Sequence, residues 1–112
     1  MRVAAIVAVV AVFMFGLNSA AAPPDPKAVR LWKGKCAACH GADGKADTDQ
    51  GKKEGVISMA TKQWQQSHTD DGIKKTVKEG VKKTDKHGEM DAYDLPPEQL
   101  DALVAVIRSF AS

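Results

Sequence analysis

Cys36 and Cys39 are the only two cysteines in the chain, they stand three residues apart, and His40 follows directly. The run from Lys35 to Gly41 therefore reads KCAACHG. Several chemistries use such a group. A CxxC pair cycles as a redox disulfide in thioredoxin-like βαβ proteins. Two cysteines and a histidine supply part of a four-ligand zinc site, with His68 or His87 as a further ligand. A plain disulfide across two residues closes a small loop and staples little. CxxCH is also the attachment spacing of c-type haem. Two thiols at that spacing each add to one vinyl group on the same porphyrin edge, and the next residue, His40, ligates the iron.

The rest of the chain weighs on that choice. Met1-Arg2 is a short basic start, and Val3–Leu17 carries no polar side chain over 15 residues. Asn18 to Ala22 then offers small residues for cleavage, with Ser19 and Ala21 at the two specificity positions. This is a secretory pattern, and residues 1–21 are read as a signal peptide. A spanning helix needs roughly 20 apolar residues, so a retained membrane anchor is the weaker reading. The expected location is periplasmic, an oxidising place for cysteines. Cleavage after Ala21 removes Arg2 and leaves 15 basic against 14 acidic residues. That balance makes no electrostatic case for nucleic acid.

Residues 22–112 form one small domain, and small domains have thin cores. Only Trp32, Trp64, Tyr93 and Phe110 remain as aromatics, which leaves room for a bulky apolar cofactor. Asp25 and Pro26 suit the N-cap and first position of a helix carrying Ala28, Val29, Leu31 and Trp32 toward Cys36. Gly41 to Gly55 is rich in Gly, Asp and Lys and reads as a long surface loop. Val56 to Ala60 is an apolar patch that could begin a helical turn through Trp64. Thr69-Asp70-Asp71 starts a helix over 70–81, with Ile73, Val77 and Val81 at four-residue spacing. Lys82 to Asp94 reads as polar loop. Leu95 and Leu100 form a hydrophobic staple around Pro97, and Leu100, Leu103, Val104, Ile107 and Phe110 continue a helical stripe. No alternating run argues for a strand, so the expected fold is all-α, with three or more short helices and long loops.

A His-ligated iron has one further axial position. Met59, His68, His87 and Met90 are its candidates. Met59 sits in an apolar patch and reads as core filler. His68 and His87 read as solvated surface residues. Met90 lies between Glu89 and Asp91, a poor setting for filler, so iron gives its thioether a reason to turn inward.

Taken together, the N-terminal CxxCH, the long loop, the amphipathic helix, Met90-Asp91-Ala92-Tyr93 and the final helix resemble class I cytochromes c over about residues 26–111. The resemblance implies one haem c attached through Cys36 and Cys39, with His40 and Met90 as axial ligands. It implies that the first and last helices cross, with Ala28 and Trp32 against Leu103, Val106 and Ile107. Two departures stand out. The family commonly has proline after the ligand methionine, where this chain has Asp91. No proline occurs between Lys27 and Leu95, so a carbonyl near Gly51 to Val56 is expected to accept the second His40 N–H.

Iron with both axial positions filled by protein changes oxidation state with little rearrangement, so the expected function is electron transfer rather than enzymatic turnover. The alternatives are a haem-based small-ligand binder or sensor, or a peroxidase-like enzyme, if Met90 is labile, and a zinc-binding module without haem. Lys74, Lys75, Lys78, Lys82, Lys83 and Lys86 form a basic run, read either as a docking patch for an acidic redox protein partner or as a solvated face. A monomer with no stable membrane insertion after cleavage is expected.

Overall fold

Asp25 opens the first helix as its sequence position predicts. In the computed structural model, which describes residues 23–112, its side chain accepts from the Lys27 N–H at 2.9 Å. Pro26 occupies the first turn, and helix α1 runs Pro26–Lys35. The expected signal segment 1–21 lies outside the described residues. None of the described helices is long and apolar enough to cross a membrane.

Cys36 ends α1 and starts the short helix α2 (Ala37–His40), so the CxxCH motif turns directly off the first helix. The next stretch corrects the reading of a long surface loop. Its middle is helix α3 (Asp49–Glu54). The Thr48 hydroxyl accepts from the Gly51 N–H at 2.9 Å and caps it, and Gly55 closes it. Nor is the loop superficial: Gly41, Gly44, Ala46 and Gly51 are all buried. Ala46 holds a left-handed φ of 56°, an arrangement that costs a non-glycine residue energy. Its N–H donates to the His40 carbonyl at 2.8 Å, so the strained turn folds the loop back onto the motif.

Helix α4 (Lys62–Ser67) starts at a Thr61 cap, later than the apolar patch suggested, and buries Trp64. Helix α5 (Asp70–Glu79) has the expected Thr69 cap but ends before Val81. Val81 is not on its stripe. It leaves the helix and forms an isolated antiparallel bridge with Met90, the only β-type pairing among the described residues. Helix α6 (Pro97–Ser109) has Pro97 at its first position, with Leu95 and Leu100 placed as the staple requires.

The first and last helices cross. Ala28 and Trp32 of α1 pack in one core with Leu103, Val106 and Ile107 of α6, as the resemblance implied. Burying each large apolar side chain there contributes about 1.5–3 kcal/mol. Trp32 is only 3% exposed, and its ring centroid lies 4.9 Å from that of Phe110. Phe110 also covers Gly44 so closely that a Cβ there would overlap the ring. Ile73 and Val77 bring α5 into the same core. The fold is all-α, with the six helices of the described residues laid around a central cavity.

Candidate haem site

The sparse aromatics leave a cavity of about 800 Å³. That lies within the range of roughly 300–1,000 Å³ seen for ligand pockets. Cys36, Cys39 and His40 enter its wall from the α1–α2 turn. Met59, Trp64 and Met90 enter it from later parts of the chain. Val77, Leu103 and Ile107 supply apolar surface from α5 and α6. A sequence separation of about half the described chain therefore closes into one site.

The donor chemistry suits a covalently held iron porphyrin. Both thiols are free, although a disulfide between them was one of the possibilities. Burial pushes the Cys36 thiol up to about 11, so it stays protonated and uncharged in its apolar setting. Burial lowers the His40 pKa below its ordinary value, which favours the neutral imidazole that a metal ligand needs. The His40 Nδ1 is buried and has no hydrogen-bond partner. An orphaned imidazole nitrogen is costly in a plain core and marks His40 as placed for something other than packing. Its surroundings fit that role: the Trp32 ring lies 5.6 Å from the imidazole, centroid to centroid.

That orphaned Nδ1 also corrects an expectation. No carbonyl between Gly51 and Val56 accepts from His40 here. Gly51 instead packs against the carbonyl of Cys39, and the Thr48 hydroxyl donates to the Ala38 carbonyl at 2.8 Å. Helix α3 thus braces the backbone of the motif and leaves the imidazole nitrogen alone.

The four candidates for the second axial position all line the cavity: Met59, His68, His87 and Met90. The histidines are exposed, as expected, but both ring systems are engaged. His68 stacks on Trp64 at 4.2 Å with its Nδ1 2.9 Å from the Trp64 carbonyl. The His87 Nδ1 lies 2.9 Å from the Gly88 carbonyl. Met59 and Met90 are both half-buried against the core. The sequence singled out Met90 and missed that Met59, His68 and His87 share its cavity. Among the described residues no three His, Cys, Asp or Glu side chains are grouped to hold a metal ion. The described residues carry no strand beyond the Val81–Met90 bridge and so do not form the βαβ unit of a thioredoxin-like protein.

The basic run is spread over different surfaces. Lys74, Lys75 and Lys78 line a shallow groove between α5 and α6 together with Asp71, Glu79 and Asp101. Lys74 is paired with Asp101. Of the six lysines only Lys83 lines the central cavity, where Lys35 joins it. Lys82 and Lys86 line neither the groove nor the cavity. The exposed apolar residue at the same cavity is Ile57, 67% exposed.

An all-helical shell around an apolar cavity, with CxxCH in its wall, defines a protein that carries covalent haem. The chain belongs to the cytochrome c family: the family model for cytochrome c matches residues 27–111. That membership implies a covalently bound c-type haem and haem-based electron transfer. Among solved structures it is similar to the KustC0563 c-type cytochrome, with 31% identity and a TM-score of 0.63, over 76% of this chain and 98% of that one. It shares its fold with a chain of the Kuenenia stuttgartiensis reducing HAO-like protein complex Kustc0457/Kustc0458. There the identity is 22% and the TM-score 0.60, over 80% of this chain and 43% of that one. No curated protein matches it.

Proposed function

We propose that this chain is a soluble electron carrier of an exported compartment, not an enzyme, with haem attached through Cys36 and Cys39 and ligated by His40 and Met90. The observation that carries the reading is a single cavity walled by Cys36, Cys39 and His40 from the N-terminal motif and by Met90 from the far loop. The haem, when bound, supplies one-electron Fe(III)/Fe(II) cycling. The chain's own residues do the rest. The thiols anchor, the neutral imidazole of His40 ligates, and the wall of Val77, Leu103 and Ile107 excludes water. A thioether opposite a histidine raises the potential relative to two histidines, which suits a carrier accepting electrons from a donor of lower potential.

Redox protein partners are part of this reading. Lys35 and Lys83 stand at the cavity among Glu54, Glu89 and Asp91, a mixed charge pattern for a partner to match, and the exposed Ile57 gives it an apolar point of approach. The occurrence of a like fold within a protein complex supports protein partners for this chain. The carrier acts as a monomer.

Two substitutions test the ligand set in the haem-loaded protein. Met90→Ala is expected to abolish the far-red sulfur-to-iron band of the ferric state and to lower the potential. Met59→Ala is expected to leave both in place. Loss of the band in Met59→Ala alone would transfer the axial role to Met59.

A further inference from the structure

Asp91, not proline, follows Met90, so no rigid imide stiffens the chain there. The structure shows another device. The Val81 N–H donates to the Met90 carbonyl at 2.9 Å, and the Met90 N–H donates back to the Val81 carbonyl at 2.9 Å. Both backbone groups of Met90 are thereby spent on one residue at the end of α5. Gly80 lies underneath. Its φ of 73° suits glycine, and a Cβ there would come within 2.5 Å of the Met90 carbonyl oxygen and 2.9 Å of the Ala92 nitrogen. The turn from α5 therefore runs flush against the backbone of Met90, Asp91 and Ala92.

Two further ties close the segment. The Tyr93 N–H donates to the Val77 carbonyl at 2.9 Å, and the Gly88 N–H donates to the Glu54 carbonyl at 2.8 Å. Val77 is itself in the core. Residues 88–93 are thus fastened at three points, to α3, to α5 and to Val81 beyond its end, around the half-buried Met90 side chain.

We infer that Gly80 and Val81 are positioning residues that hold Met90 in the cavity through the reciprocal backbone bridge and so keep the sixth iron position closed. The inference rests on the reading of Met90 as axial ligand. With the Met90 backbone held by the bridge, its thioether stays within reach of the iron, and an exogenous ligand binds only in proportion to the fraction in which the sulfur has left it.

Gly80→Ala inserts a methyl group against the Met90 carbonyl, and Val81→Pro removes the N–H that Met90 accepts. Gly44→Ala is the control, because its methyl group would strain the Phe110 contact, away from Met90. In the haem-loaded proteins, the first two variants are expected to lose much of the ferric far-red band. They should also bind CO in the ferrous state about tenfold more tightly or better, with helical circular dichroism retained. Gly44→Ala should melt at a lower temperature with its band intact and no gain in CO binding. Intact bands and unchanged CO affinity in both Gly80→Ala and Val81→Pro would overturn the inference, as would equal band loss in Gly44→Ala. Amide exchange in the wild-type holoprotein needs no variant: the Val81 and Met90 amides should be protected like those of α5, and free-loop exchange would overturn the bridge. A wild-type protein without the band overturns the Met90 reading itself, and the inference with it. A band in the wild type that survives bridge disruption overturns the inference alone.

Discussion

The indole N–H of Trp32 donates to the carbonyl of Gly41 at 2.9 Å, tying helix α1 to the residue that follows His40. The same ring touches both the imidazole of His40 and the ring of Phe110. One side chain therefore joins the crossing of the terminal helices to the proximal side of the site. Trp32→Phe keeps the aromatic bulk and leaves the Gly41 carbonyl with only the Gly44 N–H as donor, a loss of one hydrogen bond expected to cost about 0.5–1.5 kcal/mol. Trp32→Ala adds a cavity and should cost about 3–5 kcal/mol. Urea unfolding of the holoprotein measures both, and equal losses would show that the ring contributes little beyond the hydrogen bond.

Arg108 fastens the other side of the cavity. Its guanidinium donates to the Gln65 carbonyl at 2.8 Å and to the His68 carbonyl at 2.6 Å. Its Nε donates to Asp70 at 3.0 Å. One fork thus joins α6 to the end of α4 and the start of α5. Arg108→Ala should lose about 1–3 kcal/mol, and Arg108→Lys should recover little, because an ammonium lacks the planar fork. Full recovery in the lysine variant, seen in thermal melts, would reduce the contact to simple charge pairing.

Much of this scaffold is legible in the sequence. Asp25-Pro26, Thr69 and Pro97 mark helix starts because capping is local chemistry. The stripe from Leu100 to Ile107 marks α6 because its burial follows the helical period. Helix α3 was not legible by periodicity: it is short, and it packs through Gly51 against backbone, so no apolar stripe exists to read. Its Thr48 cap and closing Gly55 were the available signal. The Val81–Met90 bridge was hidden for a different reason. A single pair leaves no alternation, and Val81 imitates the next position on the α5 stripe. Cys36, Cys39 and His40 were legible as a motif, whereas the gathering of Met59, His68 and His87 around the same cavity depends on tertiary folding alone.

The placement of the lysines makes a kinetic prediction. Lys83 should draw an anionic oxidant such as ferricyanide toward the cavity against the opposing Glu54, Glu89 and Asp91, an attraction that salt screens. Lys83→Ala should slow the reaction and flatten its salt dependence. Lys74→Ala should change neither, since Lys74 lies in the α5–α6 groove against Asp101. Equal effects of the two substitutions in stopped-flow mixing would return the docking role to the whole basic run.

Attachment is testable one thiol at a time. Cys36→Ala and Cys39→Ala should each retain haem through a denaturing gel, held by the remaining thioether. The double variant should lose it. The pyridine haemochrome of the single variants should shift toward that of a haem with one free vinyl group. Retention of haem by the double variant under denaturing conditions would place the covalent link elsewhere.

On the proposed reading His40 and Met90 fill both axial positions, which makes the protein a carrier rather than a ligand binder. CO titration of the ferrous wild-type holoprotein at neutral pH tests it most directly. The expected result is an unchanged spectrum throughout the titration, with the protein remaining low-spin. Ready formation of a CO complex would show the sixth position open and contradict the claim.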